Sequence, residues 1–138
     1  MLFRSDGLGR EQLDTPYREH GWTVRQVVHH LADSHMNGFI RFKLALTADT
    51  PRINAYDEKQ WAVLPDTRLD PAVSVQIIDG IHQRWVTLIR ALPVAEYARE
   101  FDHPERGRVA LHEAVALYAW HGRHHVGHIS ALRERKGW

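Results

Sequence analysis

The chain has 138 residues, mixed charges summing to +1 and no cysteine. That length suits one domain over residues 1–138, with a core that folds without disulfides or a structural metal, and the missing cysteines exclude thiolate ligands and a cysteine nucleophile. No basic stripe suggests nucleic acid, no apolar run approaches the ~20 residues of a membrane span and no secretory segment opens the chain, so the expectation is a cytoplasmic protein acting on a small molecule, with no nucleic-acid or membrane partner.

In chain order, the first helical signal is a short turn around Arg10 to Leu13. A long helix is predicted from about Thr23 to Ala48. Thr23 and Gln26 have capping-box spacing, and Val24, Val27, Val28, Leu31, Phe39, Phe42 and Leu46 recur at helical intervals. Residues 49–70 carry Pro51 and Pro65 and form a long connection, with one short helix from Asp57 to Leu64. A second long helix runs from about Pro71 to Leu92, with Asp70 and Pro71 as N-cap and first helical residue. Residues 93–110 include Pro104 and Gly107 and suit a small extended or hairpin element. A third long helix runs from about Leu111 to Arg135, with basic residues in its last turn and Gly137 beyond. Three long helices make a thin bundle, and a four-helix arrangement buries their stripes better. Either a partner chain supplies the fourth wall or an N-terminal helix is missing from the sequence.

Histidine is the compositional outlier, with eleven copies. Seven fall in two segments: His29, His30 and His35, then His121, His124, His125 and His128. His121 and His125 are four apart, which places both imidazoles on one helix face, a spacing that can grip one metal ion. His124 and His128 share the spacing, but angular position puts His125 in the apolar stripe and His121 on its edge, with the other two nearer solvent. A third ligand must come from the first long helix. There His29 points almost away from the stripe, His35 projects with it, and His30 lies on its flank beside Asp33, Asn37 and Arg41; spacing alone leaves His30 and His35 level. Most helical histidines are simply solvated or hydrogen-bonded, but two clusters far apart in sequence weigh against that here. Three imidazoles leave one position of a tetrahedral ion for water or substrate, a catalytic pattern. A substrate thiol would have to come from a small molecule. Of the five tryptophans, most suit core anchors, while Trp61 and Trp120 are candidates to line a pocket.

The run QLDTPYREHGWTVRQVVHHLADSHMNGFIRFKLALT, followed by TPRINAYDEKQW, FDHPE and LYAWHGRHHVGHI, resembles the YfiT-type proteins of the DinB-like superfamily. The resemblance implies an all-α four-helix bundle and a metal-dependent hydrolase. It also implies one divalent ion, Zn2+ or Ni2+, held by the second histidine of HHLADSH and the first and last of HGRHH. Those are His30, His121 and His125, so the resemblance selects His30 over His35. It further implies homodimers, and in some relatives S-transfer with bacillithiol or a similar low-molecular-weight thiol. The family has a long first helix before QLDTPYR, whereas only Met1 to Arg10 stand before this one, and LFRSD looks like a translated adapter. The expectation is a reading frame shortened at its start, lacking most of that helix. Asp33 is the candidate to orient a ligand histidine, and Asn37 and Arg41 are candidates to contact a polar substrate. The rival readings are a non-catalytic metal-binding or stress-response module, and a structural helical domain that binds metal only incidentally.

Overall fold

The computed structural model describes residues 7–138; the LFRSD stretch lies outside them. The described chain runs α1 (Arg10–Leu13), α2 (Val24–Thr47), α3 (Glu58–Trp61), a 3-10 turn (Pro65–Arg68), α4 (Pro71–Ala91), a second 3-10 turn (Val94–Ala98), strands β1 (Glu100–His103) and β2 (Gly107–Ala110), and α5 (Leu111–Lys136). The helix ends follow from the caps. Gln26 N–H donates to Thr23 Oγ1 at 3.2 Å while Thr23 N–H donates to Gln26 Oε1 at 2.9 Å, closing the box that starts α2. Asp70 accepts from Ala72 N–H at 2.9 Å and Pro71 opens α4. Gly137 ends α5 at φ 71°, a left-handed conformation that favours glycine. The 93–110 connection does form a hairpin, with Glu100 opposite Ala110 and His103 opposite Gly107.

α2 is the central helix, packed by both α4 and α5. Two apolar clusters sit along it. Val24, Val27, Val28 and Leu31 meet Ile78 of α4 and Ile129 and Leu132 of α5. Further along, Phe39, Phe42 and Ala45 meet Trp85 of α4, Leu111 and Ala114 of α5 and Phe101 of the hairpin. The order of these contacts means that α4 runs with α2 and α5 runs against it. Two consecutive helices lying parallel need a long crossover, and residues 48–70 provide it. Between the clusters lies a polar layer that contains most of the buried histidines, so the site is clamped from both sides by packed core.

The expectation that His29 points away from the covered side fails. It is 6% exposed. Its Nε2–H donates to the Leu69 carbonyl at 3.1 Å and its Nδ1 accepts from the Ser74 hydroxyl at 2.7 Å. A single-stripe argument assumes one buried face, whereas α2 is covered on most of its circumference. Elsewhere Met36, Ile40 and Leu44 remain exposed on α2, as do Val73 and Ile77 on α4. No helix among the described residues is long and apolar enough to cross a membrane.

Candidate metal centre

His30 projects from α2, and His121 and His125 project from consecutive turns of α5. One ring nitrogen from each lies within 4.8 Å of the others. His30 Nε2 and His121 Nε2 are 3.3 Å apart, about the separation of two nitrogens on a common tetrahedral ion with bonds near 2.1 Å. The ring centroids are 5.3 Å apart for His30–His121, 4.8 Å for His30–His125 and 4.5 Å for His121–His125. His125 Nδ1 is buried without a hydrogen-bond partner, and buried polar nitrogens normally have one. These donors fit a divalent ion: three imidazoles converge, each offering a ring nitrogen within reach of one ion.

The environment keeps the rings neutral, as a metal ligand must be. Burial, reinforced by repulsion from His121, pulls the His30 pKa down to about 4. Burial and then His124 lower His121 to about 4. Burial and then His121 and His30 lower His125 to about 3. Trp22, from the segment before α2, packs its ring 4.6 Å from that of His30 and 6.4 Å from that of His125, covering the cluster from one side.

A second layer fixes His121. Its Nδ1 lies 3.4 Å from His35 Nε2, and His35 Nδ1 lies 2.7 Å from His82 Nε2 on α4. With His121 Nε2 turned towards His30, its Nδ1–H donates to His35, and His35 Nδ1–H donates to His82. One set of tautomers satisfies the whole chain, and such outer partners orient a ligand ring.

On the other side, His121 and His125 line a cavity of about 990 Å³ that Arg41, Tyr56, Glu58 and Tyr118 also line. Glu58 Oε2 lies 4.0 Å from His30 Nε2. Asp57 positions it by capping α3 through the N–H groups of Lys59 and Gln60, at 3.0 and 3.1 Å. Gln26 Nε2 ties down the far end of the short helix by donating to the Ala62 carbonyl at 2.8 Å. Tyr56 packs against Trp61 with the rings tilted and their centroids 4.3 Å apart, and burial pushes its pKa up to about 12, so its hydroxyl stays protonated.

The structure thus brings together His30, His121 and His125 from the expected set, and Arg41 shares their cavity. Asn37 instead turns its side-chain amide back onto the Asp33 carbonyl at 2.8 Å. Asp33 has Asp66 as its electrostatic neighbour; burial first and that repulsion second raise its pKa to about 6. The partner of His121 is His35, not Asp33. Trp120 lines the cavity, as expected of one of the two tryptophans singled out. Sequence reasoning missed Glu58, Trp22 and His82, which reach the site from loops or from a third helix. Only the N-cap signal at Asp57 pointed near one of them.

This mainly helical scaffold with a histidine triad beside a cavity is that of the DinB superfamily: residues 1–129 match the family, and the chain belongs to it. A Bacillus mycoides protein named "Putative metal-dependent hydrolase" is 56% identical over 131 residues, covering 95% of this chain and 76% of its own length. A Bacillus cereus relative of the same name is 55% identical over the same shares. YfiT from Bacillus subtilis, described as "a probable metal-dependent hydrolase with an unusual four-helix bundle topology", superposes with a TM-score of 0.92 at 51% identity, covering 95% of this chain and 76% of that one. TT2238, a four-helix bundle protein, superposes with a TM-score of 0.60 at 18% identity over 94% of this chain and 85% of its own, a likeness of fold. The fold is accordingly that of the DinB four-helix bundle, of which the described residues form three long helices.

Proposed function

We propose that this protein is a divalent-metal-dependent hydrolase whose ion, zinc or nickel, is held by His30, His121 and His125. The observation that carries the reading is the convergence of three neutral imidazoles, two of which line a cavity large enough for a metabolite. An ion held by three neutral ligands keeps its full charge, polarises a substrate carbonyl or phosphoryl oxygen and, for zinc, acidifies water to a pKa near 7.

The chain's own residues supply the remainder. Glu58 stands 4.0 Å from a ligand nitrogen on the cavity side, where its carboxylate takes the proton of the attacking water and returns it to the leaving group. Tyr56 contributes a protonated hydroxyl to the same wall. Trp22 limits water on the opposite side. His35 and His82 hold the His121 ring in one tautomer. Thiol transfer is the second reading. The chain has no cysteine, so a small-molecule thiol brought to this centre meets no protein thiol to form a disulfide with. Relatives' names support hydrolysis, and it leads.

The test is metal content by elemental mass spectrometry on untagged protein, beside the His121→Ala/His125→Ala double variant and Glu58→Gln. The expected result is about one zinc or nickel per chain, lost in the double variant and kept in Glu58→Gln. On a panel of ester, amide and thiol substrates, Glu58→Gln should lower kcat by ~10²-fold or more. Wild-type protein that neither contains nor takes up metal refutes the reading.

A further inference from the structure

Arg41 is a buried cation with no anion beside it. It is 8% exposed, and among the described residues it enters no ion pair. Its guanidinium donates to the Asn54 carbonyl at 2.9 Å and lies beside the Tyr118 hydroxyl. A guanidinium carries five N–H donors in a planar fork. Two neutral acceptors leave much of that fork unmatched, and burying a cation is unfavourable unless an anion compensates it.

The cavity wall shows where such an anion belongs. Arg106, on the turn between the two strands, is exposed, lines the same cavity and also enters no ion pair among the described residues. Arg41 and Arg106 act on one point of the wall: after burial, they are the groups that lower the pKa of His103. Three carboxylates line the cavity: Glu105, exposed beside Arg106 on the turn, bears on His103 with the opposite sign but pairs with neither arginine among the described residues, and the other two are engaged elsewhere. Asp57 caps α3, and Glu58 sits by His30. The cavity therefore has a histidine end and an arginine end. Arg41 is eleven residues past His30 on the same helix, about 16 Å along its axis. Both side chains lean towards the helix N-terminus, so that lean shortens the separation only by the difference in their lengths.

We propose that the cavity takes an extended substrate bearing an oxyanion, carboxylate or phosphate, which Arg41 grips from the floor and Arg106 from the rim while the reacting group lies at the histidine end. Two parallel N–H···O bonds from a buried guanidinium suit either anion. The assignment of the reacting end rests on the metal-centre reading; the anion grip itself does not.

The test is an NMR titration that follows the arginine Nε–Hε signals, with glutarate and glycerol 3-phosphate as anions and neutral glutaramide as control. Each is added to metal-loaded and to chelator-treated protein. The expected result is saturable movement of the Arg41 signal with at least one anion, in both metal states, and none with glutaramide. Arg41→Gln should weaken that binding by about tenfold or more, the scale of a lost charged hydrogen bond. Arg106→Gln, at an exposed position, should weaken it several-fold without changing the melting temperature; this variant serves if Arg41→Gln fails to fold. Anion binding that disappears with the metal and ignores both arginines overturns the proposal, because the anion then sits on the ion. No anion binding in either state also overturns it. Arginine-dependent binding in a protein that takes up no metal would sink the hydrolase reading and leave the anion site standing.

Discussion

Replacing Gly38 with alanine adds one methyl group in the middle of α2, where the Tyr118 ring of α5 leaves no room. A Cβ built at Gly38 would lie 2.4, 2.6 and 2.7 Å from three ring carbons of Tyr118, against an ordinary contact of 3.4–4 Å. The ring cannot easily swing aside. Its centroid is 5.2 Å from that of Trp85 and 5.5 Å from that of His35, and Arg41 lies beside its hydroxyl. Relief requires α2 and α5 to separate by about 1 Å, and overpacking of this kind costs about 1–3 kcal/mol. Alanine returns at most ~1 kcal/mol through helix propensity. The net loss should be about 1 kcal/mol, a fall of roughly 3–4 °C in Tm. Tyr118 is one turn from His121, so the same displacement draws His121 and His125 from His30 and weakens metal binding. Gly80, in α4, is the internal control: a Cβ there meets nothing within 4 Å, and Gly80→Ala should raise stability by about 1 kcal/mol. Thermal melts followed by circular dichroism, with and without added zinc, read both effects. Gly38→Ala as stable as wild type, with unchanged metal affinity, would refute the close-packing argument. A double variant with Tyr118→Ala should show little of the Gly38→Ala penalty, as expected for residues in contact.

Acid should unfold the metal-free protein. His30 and His121 are lowered to about 4 and His35 and His125 to about 3, each chiefly by burial. The unfolded chain takes up protons below about pH 6.5 that the folded chain does not, so stability is complete above that pH and falls through the window down to pH 3–4. Each histidine contributes up to ~1.4 kcal/mol per pH unit, with the total reduced by coupling; urea melts at pH 7 and pH 5 check it, and equal midpoints would contradict the burial. Zinc at about a hundred times its Kd should stabilise His124→Ala/His128→Ala by about 2.7 kcal/mol, with no response once His121→Ala/His125→Ala is added; the melts with and without chelator decide. Gln26→Ala removes both half of the α2 capping box and the bond to the Ala62 carbonyl. It should cost about 1–2 kcal/mol and lower kcat through the freed Glu58 segment; unchanged kcat would show that Glu58 is held otherwise.

The parts legible in the sequence were those written locally. Thr23 and Gln26, Asp70 and Pro71, and Gly137 each mark a helix end through contacts a few residues apart, and the observed ends agree to within a residue or two. His121 and His125 were legible because a pair four apart carries its own geometry. His29 was misplaced because a helical wheel cannot reveal that neighbours cover α2 on several sides. His82 gave no local signal, since only the parallel run of α2 and α4 sets it beside His35. Glu58 and Trp22 depend on how two irregular segments fold back over the helix ends. Gly38 did leave a trace: a glycine inside a long helix often marks a close approach, and here Tyr118 is what approaches.

Beside the triad on α5, where His124 also lines the cavity, His124 and His128 hold their Nε2 atoms 3.1 Å apart. Trp120 stacks on the first ring at 4.6 Å and Tyr17 on the second at 4.3 Å, so the pair is pre-set rather than floppy. Two pre-set surface imidazoles one turn apart form a chelate for copper, nickel or zinc. The untagged protein should therefore cling to a nickel-charged chromatography resin, and a metal titration of the wild type should overshoot one ion per chain. Removing the outer pair, as in His124→Ala/His128→Ala, would give the stoichiometry of the inner triad alone.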